Sequence, residues 1–380
     1  MRHRSHVRLP RRLWRAAGFA LCAGIFVLPA PVWAVDNGGL GPLSVRNQFP
    51  PSLPFLSFTP EQTSTLPAGG FRFTYQYSVA NTFINTQSPD KDPSCSDPCI
   101  TAAEVEAGLT AGNFPATGYG AYIDAESARH QLAFRYGLAD WLELGLDLAW
   151  LSYSGGALDS NIESVEKSFS AFNESRAFSE RNRFDYYLFR DGEPIFATSD
   201  TLQNQAEDPV MHLKWSWGDG GEFLPAVSVK LSYKYPLDFS PGERRRLVSS
   251  GRVDSGAYLL LSKEFGRVVG HYQFGSTFID DPANNFSSQI RHKVFALEVR
   301  ADSRNSWLFQ VVTRSNVLRK SGSGKVDNDF LLSRATDLLA IGHKFKGDTF
   351  LFDIGVVEDF NSRLNDTDIV LFLDFGWEFR

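Results

Sequence analysis

The stretch Trp141-Leu-Glu-Leu-Gly-Leu-Asp-Leu-Ala-Trp-Leu-Ser-Tyr153 alternates apolar and polar residues almost without a break. Leu142, Leu144, Leu146, Leu148 and Trp150 share one face, and Glu143 and Asp147 the other. Successive side chains of a strand point to opposite sides, so this pattern predicts a strand with one apolar and one polar face. The run just before it, Ala125 to Leu138, carries Leu132, Phe134, Tyr136 and Leu138 in the same phase, and only Ala139-Asp140 separates the two. Two alternating runs joined by so short a connection read as a β-hairpin.

Working outward, ten further runs repeat the pattern: Phe71 to Val79, Pro209 to Trp217, Phe223 to Pro236, Arg252 to Phe265, Val268 to Ile279, Gln289 to Ala301, Ser306 to Leu318, Ala335 to Phe345, Thr349 to Phe360 and Asp368 to Phe379. Their connections alternate in length. Short turns follow the even-numbered runs, at 139–140, 218–222, 266–267, 302–305 and 346–348, while longer loops follow the odd-numbered ones, reaching 55 residues between Ser154 and Asp208. An even number of antiparallel strands, with short turns on one side and long loops on the other, is the pattern of an outer-membrane barrel. The expected fold is therefore all-β, a transmembrane antiparallel β-barrel of about 12 strands, with both termini and the short turns in the periplasm. Tryptophan placement agrees: Trp141, Trp215, Trp217, Trp307 and Trp377 fall beside short turns or the C-terminal end, where an aromatic girdle belongs.

Composition excludes a bundle of membrane helices. The 380-residue chain has 32 Phe, 12 Tyr and 31 Gly against 2 Met, a balance that favours strands and turns. Its mean hydropathy of -0.22 is too low for a bundle of membrane helices. Residues 2 to 15 hold six Arg and no acid, and the apolar stretch Ala16 to Ala30 leads to Val32-Trp33-Ala34. That arrangement predicts a signal peptide over 1–34 and export to the bacterial outer membrane. Its removal lowers the basic count from 38 to 32 against 44 acids, a net charge of -12, which argues against binding nucleic acid by bulk charge. Cys95 and Cys99, in Cys95-Ser-Asp-Pro-Cys99, are expected to form a small disulfide loop.

Residues 35–69, rich in Pro and Gly and lacking period, are expected to be irregular and long enough to enter the lumen as a plug, with 70–380 forming the barrel. In 154–208, Asn161 to Phe178 has partial helical periodicity and is expected to fold over the mouth.

Two resemblances follow from these runs. Leu371, Leu373, Phe375, Trp377 and Phe379 resemble the alternating C-terminal signal by which the barrel assembly machinery recognises its substrates, although Arg380 follows the final aromatic. Gly41-Pro-Leu-Ser-Val-Arg-Asn-Gln-Phe-Pro50, containing Arg46, Asn47 and Gln48, with Ser78-Val-Ala-Asn81, resembles an uncharacterised bacterial outer-membrane family, a domain of unknown function. The resemblance implies the barrel and no particular activity.

Residues of inward parity line the lumen. The chief candidates are Arg129, Arg135, Glu143, Asp147, Lys214, Lys230, Glu298, Arg300, Arg314 and Asp353. With Lys234 and Lys344 added to the basic residues and Asp254, Glu264, Asp374 and Glu378 to the acidic ones, the inward set holds eight of each sign, which predicts paired charges and weak ion selectivity. His212, His271 and His292 also face inward. Each is alone on its strand, with no acid beside it on the same face, so neither a metal site nor a catalytic triad is expected. Without a Gly-x-Ser-x-Gly elbow or a nucleotide loop, the reading is a non-enzymatic barrel without cofactors. Its partners are outer-membrane lipid, the assembly machinery and small, apolar solutes passing a narrow or gated channel. The rival reading is a closed structural or interaction barrel whose outer loops bind a partner.

Overall fold

The computed structural model describes residues 39–86, 108–110, 112, 118–156, 158, 181–218, 220–281, 285–319, 335–359 and 367–380. Fifteen strands form one antiparallel sheet: β1 (Phe71–Asn85), β2 (Tyr119–Ala139), β3 (Leu142–Ser154), β4 (Asp185–Arg190), β5 (Glu193–Thr198), β6 (Leu202–Ala206), β7 (Val210–Gly218), β8 (Ala226–Lys234), β9 (Asp254–Phe265), β10 (Val268–Phe278), β11 (Gln289–Arg300), β12 (Asn305–Arg314), β13 (Thr336–Lys346), β14 (Phe350–Asp359) and β15 (Ile369–Phe379).

Twelve of them close the barrel. β1 pairs with β2, β2 with β3, β3 with β7, and each later strand with the next. The ring shuts where β15 returns to β1, with Phe71 opposite Phe379 and Arg72 opposite Glu378. Closure leaves no unpaired edge in the wall, the condition for crossing hydrocarbon with strands. β7 to β15 are 9 to 12 residues long, the length of a tilted spanning strand. No helix among the described residues is long and apolar enough to cross a membrane.

The alternation sorts side chains as the sequence predicts. Along β11, Ile290, His292, Val294, Ala296 and Glu298 are buried inside while Phe295, Leu297 and Val299 are exposed outside. Trp217 and Trp307, more than half exposed, stand at the short-turn end, where Trp215 and Trp217 stack at 5.5 Å.

Two features depart from the expected runs. β1 continues six residues past Val79 and β2 begins six before Ala125, and the added lengths pair with each other, Asn85 opposite Tyr122. Here Ala80 to Thr86 are all buried, as are Tyr119 to Ala125. Both faces are covered, so the polar half of the alternation that marks a strand in sequence disappears. The other departure lies in the longest loop, which contributes β4, β5 and β6. The β4-β5 hairpin extends β2 (Tyr119 opposite Arg190), and β6 extends β3 (Trp150 opposite Ala206). The periodic stretch Asn161 to Phe178, the cysteine pair Cys95 and Cys99, and the signal sequence lie outside the described residues.

Candidate functional site

Among the described residues, none from 39 to 68 lies in a strand of the sheet, and Gly69 and Gly70 bond by backbone to Gly137 of β2. Residues 39–68 run up the lumen from the short-turn end to the long-loop end and back. A lone chain without a strand partner must satisfy its backbone polar groups some other way, and here the wall's polar side chains do so. On the ascending limb, the amides of Leu40 and Gly41 donate to the Glu298 carboxylate at 2.9 and 3.1 Å. Gln310 grips Leu43 by both backbone groups, at 3.0 Å to the amide and 3.3 Å to the carbonyl. Gln76 donates to the Ser44 carbonyl at 2.8 Å.

The apex is a 3-10 turn, Pro50–Ser52, where two prolines fix φ and remove donors that would otherwise need partners. Phe49, Leu53 and Phe55 pack there against Tyr153, Tyr186, Leu247, Phe286 and Val317, forming an apolar cluster that fills the long-loop end. Phe55 meets the Phe286 ring edge-on at 4.8 Å. The descending limb repeats the rungs: the Leu56 amide to Asp254 (2.8 Å), Thr63 to Ser262 (2.6 Å), the Leu66 amide to Glu143 (2.9 Å) and the Ala68 amide to Asp140 (2.9 Å). Gly137 of β2 lies where this limb leaves the lumen. A Cβ there would stand 2.1 Å from the Pro67 carbonyl oxygen, so glycine allows the close approach.

Arg46 and Glu61 are the only charged residues between 39 and 69, and each is an anchor. The Arg46 guanidinium is paired with Glu207 and donates to the carbonyls of Leu53 (2.8 Å) and Phe55 (3.0 Å), tying the apex to the ascending limb. Glu207 also receives Arg129 through two bonds, 2.7 and 3.0 Å, and Arg129 donates onward to Gln131 at 2.6 Å. Burial works against the Glu207 charge, but Arg129 and Arg46 together hold its carboxyl below the usual carboxylate range. Glu61 lies 3.1 Å from Lys230 and 3.8 Å from Arg135.

The lumen candidates fall as follows. Arg135 pairs with Asp147 (2.6 Å), Lys214 with Glu143 (3.0 Å) and Lys344 with Asp353 (2.9 Å). Arg314 donates to Ser52 and Thr336, each at 3.1 Å. Glu298 accepts from Ser306 at 2.7 Å as well as from the ascending limb. Arg300 is a rim residue, bonded at 3.0 Å to the half-exposed Glu264. Asn47 accepts the Phe49 amide at 2.7 Å and Gln48 accepts Ser127 at 3.3 Å.

The histidines have acid neighbours that their own strands do not reveal. His212 lies 2.9 Å from Asp147 of β3, and His271 lies 3.2 Å from Glu298 of β11. Register between strands supplies these contacts, which a reading along one strand misses. Glu207 was missed for a similar reason, since it sits in a connection outside any alternating run. The isolation of Arg46 and Glu61 within an otherwise uncharged segment was the available signal for them. Among the described residues, no group of three or more His, Cys, Asp or Glu is placed to hold a metal.

Among the described residues, two cavities lie beside the segment. The larger, about 110 Å³, opens toward the short-turn end and is lined by Thr59, Glu61, Gln131, Arg135 and Asp353 among others. The smaller, about 20 Å³, lies toward the long-loop end beside Arg46, Arg129, Glu207 and His212, and Thr59 and Gln131 line it too.

Residues 101–379 match the model of a family described as "Protein of unknown function (DUF3187)". No curated protein matches the chain. Among solved structures, the COG4313 outer membrane channel from Pseudomonas putida F1 is similar at a TM-score of 0.52 and 10% identity, over 85% of this chain and 100% of that one. The P. putida toluene transporter TodX aligns at a TM-score of 0.38 and 10% identity, over 82% of this chain and 89% of the transporter. The first likeness establishes the outer-membrane barrel fold, and at this identity it speaks to the fold alone.

Proposed function

The chain belongs to the family described as Protein of unknown function (DUF3187), and from the geometry of its lumen we propose that it is a gated outer-membrane channel held shut by its own residues 39–69. The observation that carries this reading is that the segment crosses the lumen without joining the sheet, so it can shift while the wall keeps all its ladder hydrogen bonds. A barrel meant only as a structural body gains nothing from an insert so separable. In this reading the short turns face the periplasm, the exposed apolar belt meets lipid, and the C-terminal strand β15 is the part presented to the assembly machinery.

The cavities are edged by charged and amide side chains, which suit small polar solutes. Of the segment's apolar residues, Phe49, Leu53 and Phe55 pack the apex, and Leu53 and Phe55 also line the smaller cavity. Paired charges of both signs favour weak ion selectivity.

The test is solute entry into liposomes carrying the refolded mature chain or a form lacking 35–69, with heat-modifiable migration as the check that the barrel has formed. Entry that rises on deletion supports the gated channel. Two sealed forms would favour an interaction barrel, for which the β4-β5 hairpin projecting from β2 offers a presenting surface.

A further inference from the structure

Resting on the channel reading, we infer that the conducting route passes along β2, and that Gln131 is the partition dividing it into two cavities. The larger cavity opens at the short-turn end between β13 to β15 and β1 to β2, past Asp353, Asp374, Gln76 and Arg135. The smaller continues toward the long-loop end past Arg129, Asp147 and Ala149. Their linings overlap on the wall at one residue, Gln131 of β2, and on the segment at Thr59. On the β13 to β15 side the lumen above the larger cavity is closed toward the long-loop end, because Leu43 and Val45 pack there in an apolar cluster with Ala340, Val357 and Val370.

Gln131 is not free to swing. Its Oε1 accepts from Arg129 at 2.6 Å, Arg129 is held bidentately by Glu207, and Glu207 is paired with Arg46 of the inserted segment. The partition and the plug are thus joined by one chain of charge-assisted bonds, the strong and directional kind. Glu207 is the positioning residue: it fixes Arg129, and through it the amide that closes the route. A movement of the apex that draws Arg46 away changes the partners of Glu207, and hence the position of Gln131, without any change in the sheet.

The experiment is single-channel conductance and the size cut-off for uncharged polar solutes, measured on the intact mature chain in planar bilayers and liposomes. Gln131→Ala is expected to raise conductance several-fold and to admit larger solutes. Gln131→Cys is expected to conduct until a thiol reagent is attached and then to close. Glu207→Gln should raise conductance, Glu207→Asp should restore most of the closed behaviour, and Gln131→Ala with Glu207→Gln should add nothing to Gln131→Ala alone.

A chain carrying both Arg46→Ala and Glu61→Ala, which loses both charged anchors of the segment, separates the two ideas. If it conducts while Gln131→Ala does not, or while labelled Gln131→Cys stays open, the route runs elsewhere and this inference is overturned with the channel reading intact. If neither it nor any Gln131 variant conducts, the channel reading falls and takes the inference with it.

Discussion

At the scale of single residues, the charges of the lumen have value only as pairs. Glu207 serves two guanidiniums at once, and both Arg129 and Arg46 are buried beside it. Removing one member of a buried pair strands its partner without water, at a cost of about 3–5 kcal/mol. Glu207→Ala is therefore expected to lower the denaturant midpoint of the refolded barrel by an amount in that range, and Glu207→Gln by less, since the amide still accepts a hydrogen bond. An unchanged midpoint in Glu207→Ala would mean that the two arginines find other partners. The pH dependence has a definite sign. The carboxyl of Glu207 is held below its ordinary value of 4.5, so its contribution to stability is full above about pH 4.5 and is lost as pH falls through the lower folded value. Denaturant midpoints measured from pH 6 downward should fall below about pH 4.5 in the native chain, with a flatter profile in Glu207→Gln.

At the scale of elements, the inserted segment is held by two unlike kinds of contact. Its limbs are held by polar rungs, each of which replaces a bond to water and adds little net stability, with apolar contacts of Leu43 and Val45 in one limb and of Phe58 on Tyr258 in the other. Its apex is held by apolar burial, with Phe49 and Leu53 almost wholly enclosed and Phe55 against Phe286. Truncation of a buried Phe to Ala costs about 3–5 kcal/mol. Phe55→Ala is expected to free the apex before it affects the wall. A spin label at Ser57 should become more mobile while heat-modifiable migration of the barrel is retained. A label as immobile as in the native chain would show that the contacts of the limbs alone fix the segment. The β4-β5 hairpin belongs to the same element-scale argument, because Tyr186 and Phe196, whose rings lie 5.1 Å apart, join the cluster over the apex.

At the scale of the whole molecule, closure and orientation follow from where the aromatics stand. Trp141, Trp217, Trp307 and Trp377 are 40 to 56% exposed and belong to the short-turn end. In a bilayer their rings should sit at the headgroup boundary. Lipids brominated near the headgroup should quench the tryptophan fluorescence of the reconstituted protein more than lipids brominated deep in the chain. The reverse order would place these rings away from the boundary and undo the assigned orientation.

The barrel itself was legible in one dimension. Period-two alternation is written by neighbouring residues, and the contrast of short turns with long loops is a matter of counting, so the twelve wall strands and the inward or outward sense of residues such as Lys214 and Phe295 could be read directly. Arg129, Arg135 and Lys230 were readable as inward residues for the same reason. What each one meets depends on strand register and on the path of a segment that has no period, and these are set by long-range packing. Glu61 finds Lys230, His212 finds Asp147, and Arg46 finds Glu207 across 161 residues of chain. The strand extensions beyond Val79 and strand β4 were hidden because burial on both faces erases alternation. Thus the sequence by itself determined the wall, since each strand needs only a lipid face and a lumen face. Only the tertiary structure decided how the lumen is filled, because an irregular chain takes its path from partners supplied by every side of the closed barrel.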